Sequence, residues 1–257
     1  MKSIIHILGE IHQAECLRYT NNCLPLTLKK LKANEYSRER LVTILRKRYE
    51  LSHHFNQILE YILVIVETES RFWSKEKRQK FIFAIEQNLR EENGELSEYG
   101  GPHIEDRKTF LAALGINYEI EFKHAGTFIR PTGSLAVQNL LRDVKELIDT
   151  GSIGAISVLW YWENRISLSS ELGDYWIILK AFETTFPEWK KEEYAEGDIF
   201  WHLYSHAVHD EFHAKYCEDA LVSLSAKNSK KVRGVCEKMR IFFDEFWDSI
   251  DPLGGSQ

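Results

Sequence analysis

Proline is scarce in this 257-residue chain, at five positions: Pro25, Pro102, Pro131, Pro187 and Pro252. Each falls where the apolar periodicity lapses, so the stretches between them are free to run as long helices. Cysteine is scarcer still. Cys16, Cys23, Cys217 and Cys236 form no C-x-x-C pair, which excludes a paired-cysteine zinc module and gives no disulfide framework, so a reducing cytoplasm is the expected compartment. Long apolar runs are missing: YILVIV at 61–66 is far short of the roughly 20 residues a membrane span needs. The opening MKSIIHILGEIHQ is interrupted by Glu10 and His12 and does not read as a signal peptide. There is also no excess of positive charge. The formal net charge is -6 with Lys and Arg scattered, so neither nucleic acid nor an anionic membrane is an expected partner. The densest basic stretch, KNSKKVR at 227–233, reads as the solvated opening of a last helix.

What the chain does have is helical periodicity. After Ser37, a plausible N-cap, apolar residues recur at spacings of three and four: Leu41, Ile44, Leu45, Phe55, Ile58, Leu59, Ile62 and Leu63. Ser74 is placed to cap a second helix with Phe81, Ile85 and Leu89 on one side. A third runs over 104–114 and is closed by Gly115. Further helices are expected from Ser134 to about 149, around Ile156 to Glu163, after Asp198, and over 230–247. The one alternating run, YEIEFK at 118–123, is too short and too isolated to build a sheet. The expected fold class is all-α: one domain over 1–257, a bundle of about seven helices.

The sixth helix carries HAVHDEFHAKY at 206–216. On a helix, His206, Asp210, His213 and Cys217 recur at four, three and four, which is one face, with His209 turned partly aside. Such a face can aim two imidazoles and a carboxylate at a common point. That donor set suits iron, manganese or zinc; a solvated or internally paired helix is the alternative. Three donors do not fill a coordination sphere, so other helices must contribute. Two segments are candidates. NLREENGELSEYGGPH at 88–103 ends one acidic helix and opens another at His103, and WYWENRI at 160–166 sets Glu163 among aromatic residues. A carboxylate there needs a positive partner, and either a metal or an arginine would serve.

Together these segments resemble the haem-oxygenase-like diiron oxidases and oxygenases. The late His-x3-Asp-x2-His is matched by His206, Asp210 and His213. The pattern Asn-Leu-x-acidic-Glu-x-Gly is matched by Asn88, Leu89, Glu91, Glu92 and Gly94, followed by His103, and Glu163 stands where a middle helix contributes one Glu. The resemblance implies a haem-oxygenase-like bundle holding two Fe(II), with Glu92, His103, Glu163, His206, Asp210 and His213 as ligands and O2 as co-substrate. It further implies a peroxo-diferric species that oxidises a small substrate of amino-acid or fatty-acid type by N-oxygenation, desaturation or C–C cleavage. Two intervals depart from the pattern. Glu92 to His103 is slightly long, which keeps Glu91 and Glu95 in play as ligands. Glu163 to His206 is also long, which suggests an insertion near 176–196 over the site. Some members add a Glu from an early helix, where Glu67 and Glu69 lie.

Arg107, Arg165 and Trp162 are the substrate-contact candidates, the arginines for a carboxylate and the indole for an apolar pocket wall; core packing and same-helix ion pairs are their other readings. A small-molecule partner and an amino-acid-like substrate are expected, with a homodimer an open option. The rivals are a cofactor-free enzyme of the thiaminase-like or quinone-cofactor-synthase-like kind on the same bundle, and a non-enzymatic helical ligand-binding protein. The complete donor set Glu92, His103 and Glu163 speaks against the first.

Overall fold

The computed structural model describes residues 2–96, 101–166, 168 and 171–251, and for residues 209–211 the helical backbone without the side chains. Pro252 and the side chains of His209 and Asp210 therefore lie outside the described residues. The helices are α1 (Ile4–Thr20), α2 (Leu26–Lys32), α3 (Arg38–His53), α4 (Phe55–Glu69), α5 (Lys75–Glu92), α6 (His103–Ala113), α7 (Tyr118–Glu121), α8 (Leu135–Ile148), α9 (Ser152–Ile166), α10 (Asp174–Thr185), α11 (Trp201–Val222) and α12 (Ser229–Ser249). No strand forms among the described residues, only one isolated bridge between Gly126 and Pro131. The fold is all-α, as expected.

The expected boundaries are largely where their chemistry put them. Ser37 Oγ accepts from Arg40 N at 3.3 Å and Ser74 Oγ from Lys77 N at 3.4 Å, each satisfying one of the orphan N–H groups of a first helical turn. Pro25 and Pro102 are the residues before α2 and α6, and Gly115 takes the left-handed φ of +76° after α6. The KNSKKVR stretch opens α12. The long pattern beginning at Ser37 divides at His54, whose N–H turns back to Leu51 O at 3.1 Å and separates α3 from α4. Residues 118–123 start as a helical turn, because Asn117 Oδ1 accepts from Ile120 N at 3.1 Å and no neighbouring strand is there to pair. The region 176–196, read from the sequence as an insertion, holds all but the first two residues of α10.

At the centre is α9, buried along nearly its whole length, as a helix apolar on all sides must be. It packs against α11, α12, α8, α4 and α10. Glu69 at the end of α4 sets its start: Oε2 accepts from Ser152 N at 2.7 Å and Ser152 Oγ at 3.2 Å. Gly151 makes room for this, since a Cβ there would come within 2.4 Å of Glu69 Oε2. Glu69 is thus a cap, and Glu67 is exposed. Among the described residues no helix is long and apolar enough to cross a membrane.

A second buried arrangement ties the bundle's other side. Asp174, at the start of α10, accepts from Tyr19 of α1, from Arg165 Nε of α9 at 3.1 Å and from Trp247 Nε1 of α12 at 2.7 Å. Arg165 also reaches Asp244 at 3.0 Å, which accepts from Arg18 at 2.6 Å.

His53 and His54 are packed inward. His53 Nδ1 lies 2.9 Å from Tyr118 OH. His54 is fully buried, and neither of its ring nitrogens makes a hydrogen bond. Burial, together with the charge on His53, pushes His54 down from 6.5 to about 4. With the folded value below the unfolded one, its contribution to stability is complete above pH 6.5. It is lost as pH falls towards about 4, because the unfolded chain takes up the proton first. The melting temperature of metal-free protein should therefore drop between pH 7 and pH 4.5, and His54→Phe should lessen that drop whatever its effect at pH 8. Equal pH dependence in the two proteins would contradict the assignment.

Candidate metal centre

Four helices deliver the centre's side chains, α9 through Glu163. The C-terminal end of α5 carries Glu91 and Glu92, the first residue of α6 is His103, and α11 carries His202, His206 and His213; all six are buried. Successive residues on a helix diverge by about 100°, so the two glutamates face different neighbours. Glu92 turns to α6. Its Oε1 is 3.0 Å from His103 Nδ1, and its Oε2 accepts from Arg107 Nη2 at 2.7 Å. Glu91 turns to α11, where its Oε2 meets His213 Nε2. The chain can return from α5 to α6 because Gly94 adopts φ +70°; a Cβ there would stand 2.4 Å from Pro102 N. The long interval from Glu92 to His103 thus closes on itself.

Glu92, His103 and His206 each offer one donor atom, and these atoms lie within 4.8 Å of one another. The His103 and His206 rings are 4.5 Å apart, edge to face. Beside this group, His213 stands between two carboxylates, with Glu91 on Nε2 and Glu163 Oε2 3.6 Å from Nδ1. His206 and His213 are two turns apart, about 10 Å along the axis, with position 210 between them. The described donors thus form two adjoining sets: Glu92, His103 and His206, then Glu91, Glu163 and His213. Glu95, the other alternative, is exposed and pairs with Arg90 at 3.5 Å.

Charge fixes the protonation states. Burial pushes the Glu92 carboxyl up, but the charges of Arg107 and His103 together outweigh it and hold Glu92 well below the usual carboxylate range. A carboxylate only accepts, so in this contact His103 donates through Nδ1 to Glu92. Burial, reinforced by His103, drives His206 well below its ordinary value and keeps it neutral, the form that ligates metals. Burial, and then the charge of Glu163, pushes the Cys217 thiol well up, so the remaining member of the predicted α11 face is a thiol and not a thiolate.

The substrate-contact candidates have other neighbours. Arg107 is held by Glu92 and donates through Nη1 to Ser52 O at 3.1 Å. Arg165 points to Asp174 and Asp244. Trp162 packs between Phe55 and Phe243, at ring distances of 5.3 and 5.0 Å. Sequence reasoning passed over His202, although it stands four residues before His206 and so extends the same face. It is fully buried, its ring 4.5 Å from that of His206.

No family model matches the chain, and no curated protein matches it. Two crystal structures of a CADD-like protein of unknown function from Nostoc punctiforme PCC 73102 are similar in fold. One has a TM-score of 0.73 at 14% identity and covers 98% of both chains. The other has a TM-score of 0.69 at 13% identity and covers 98% of this chain and 96% of that one. At these identities the likeness is one of fold.

Removing one partner of a buried ion pair leaves the other charge unanswered. Arg107→Met should therefore destabilise the metal-free protein by about 3–5 kcal/mol in urea unfolding. Arg107→Met,Glu92→Gln together should recover much of that loss. A single variant as stable as wild type would show that the pair does not hold the centre.

Proposed function

We propose that the chain forms one haem-oxygenase-like diiron domain and acts as an O2-dependent oxidase or oxygenase on a small amino-acid-like substrate. The observation that carries this reading is the buried convergence of Glu92, His103 and His206 from three helices, donor atoms within 4.8 Å. The donor types fit the group: hard carboxylate oxygens with neutral imidazoles suit iron. Glu92, His103 and His206 would hold one ion and Glu163 and His213 the other, with Glu91 beside them. Asp210, by its helical position between the two histidines, completes the proposed set. When bound, two ferrous ions would supply the electrons that activate O2.

The chain's own residues prepare that centre. Arg107 occupies Glu92 Oε2 and so orients the other oxygen towards His103 and His206. It also answers the carboxylate's charge, so the pocket keeps its shape before any cation arrives. Glu163 is itself buried, so bulk water is kept from that side of the centre.

The Arg107–Glu92–His103 network also favours a second reading, a cofactor-free enzyme on the same bundle, because it answers the Glu92 charge without a metal. Iron content separates the two. After anaerobic ferrous loading and desalting, the wild type should retain close to two irons per chain. His206→Ala and His213→Ala should each retain about one fewer, with helical circular dichroism unchanged. Near-zero uptake by the wild type would overturn the diiron reading in favour of the cofactor-free one. Unchanged iron in His213→Ala would remove that residue from the centre. For the loaded wild type, O2 consumption accelerated by one of a set of amino acids would identify the substrate type.

A further inference from the structure

Among the described residues three arginines are buried, and two of them are matched by acids. Arg107 meets Glu92 at 2.7 Å, and Arg165 meets Asp174 at 3.1 Å and Asp244 at 3.0 Å. Arg48 of α3 differs. It is 3% exposed, in register with the buried residues Leu41, Ile44, Leu45, Leu51 and Ser52. Among the described residues no carboxylate pairs with it. Its contacts are a hydrogen bond from Nη1 to Ser52 Oγ at 2.6 Å and the face of Tyr175, whose centroid is 5.0 Å from Cζ. A buried cation without an anion is costly, and a hydroxyl and a ring face repay only part of that cost.

The groups around it are donors too. The Tyr175 ring lies 5.0 Å from the His206 ring, and the His202 ring lies 5.3 Å from Tyr49 and 5.9 Å from Tyr175. Tyr49 OH and both ring nitrogens of His202 are buried and make no hydrogen bond. A phenol carries an O–H and an imidazole at least one N–H, so each has a hydrogen to donate. The interior next to the metal centre therefore offers a planar fork of N–H donors, a phenolic O–H and an imidazole N–H. The complementary group has acceptor oxygens, is planar and carries one negative charge. A phosphate would bring a second charge that nothing here answers, whereas a carboxylate matches both fork and charge.

We propose that Arg48 is the anchor of a carboxylate-binding site, with Tyr49 and His202 as accompanying donors, and that the bound carboxylate lies one aromatic ring away from His206. This makes the substrate an organic monocarboxylate held by its head group. Its role as substrate rests on the reading of the neighbouring centre as the place of reaction; the binding itself needs no metal.

The test is a titration of metal-free, full-length protein with octanoate, dodecanoate, L-leucine and L-phenylalanine, each beside its primary amide, followed by calorimetry. At least one carboxylate should bind, roughly tenfold or more tightly than its amide. Arg48→Gln should abolish that preference and Arg48→Lys retain part of it. Tight binding confined to octanoate and dodecanoate identifies a fatty-acid type, and binding confined to the amino acids an amino-acid type. Equal binding of acid and amide, a preference surviving in Arg48→Gln, or no binding by any of the four acids would overturn the proposal. Thermal melts without ligand give a second arm. Arg48→Met should melt at or above the wild-type temperature, since it removes an unanswered charge. A fall of more than about 5 °C, or a variant that does not fold, would make Arg48 a structural residue and overturn the proposal. Failure here leaves the iron-uptake result untouched, and the reverse also holds.

Discussion

A carboxylate withdrawn from water must be met by positive charge or donors, and the answer to Glu92 organises one end of this bundle. Arg107 and His103 both come from α6, so neutralising Glu92 fixes α6 against the end of α5. Through its other nitrogen Arg107 grips the Ser52 carbonyl, which brings α3 to the same point. With α6 so placed, the His103 ring stands against that of His206, and α11 is drawn in. One buried charge thus accounts for the meeting of four helices. Buried ion pairs add little net stability compared with apolar packing; their strength is that few alternative arrangements satisfy them.

The opposite side of the bundle is fixed by a separate network. Asp174 gathers donors from α1, α9 and α12, and Arg165 carries the connection to Asp244 and so to Arg18. Scaffold and candidate centre thereby use different arginines. Trp162 belongs with the scaffold, between Phe55 and Phe243, while its chain neighbour Glu163 faces His213. The central helix serves both regions because it is enclosed on every side.

Much of this was legible in the sequence, and the exceptions have physical causes. The spacing of His206 and His213 placed them on one helical face, and Glu92 with His103, beside the alternatives Glu91 and Glu95, was readable from the acidic end of one helix and the start of the next. Ser37 and Ser74 announced their helices by capping. By contrast, α10 buries Tyr175, Ile177, Ile178, Leu179, Ala181 and Phe182, and only Lys180 and Thr184 mark its exposed side, a stripe too narrow to betray a period of 3.6. The alternation at 118–123 implied nothing without a partner strand. His54 and Arg48 look like solvated residues by type; only register gives them away, since Arg48 continues the buried row of Leu41 and Leu45. In a run reading RKRY, composition hides what periodicity shows.

The adjacency of Glu91 and Glu92 has a consequence for how this centre tolerates variation. The directions of the two carboxylates are set by helical screw geometry within a single turn, not by the connector that follows. Residues between Gly94 and Pro102 can therefore be gained or lost among related chains while both acids keep their bearings, provided that the hinge glycine and the proline ahead of His103 persist. Shifting the α5 frame by one residue would instead swing both acids off target together. The centre is thus permissive in connector length and strict in phase.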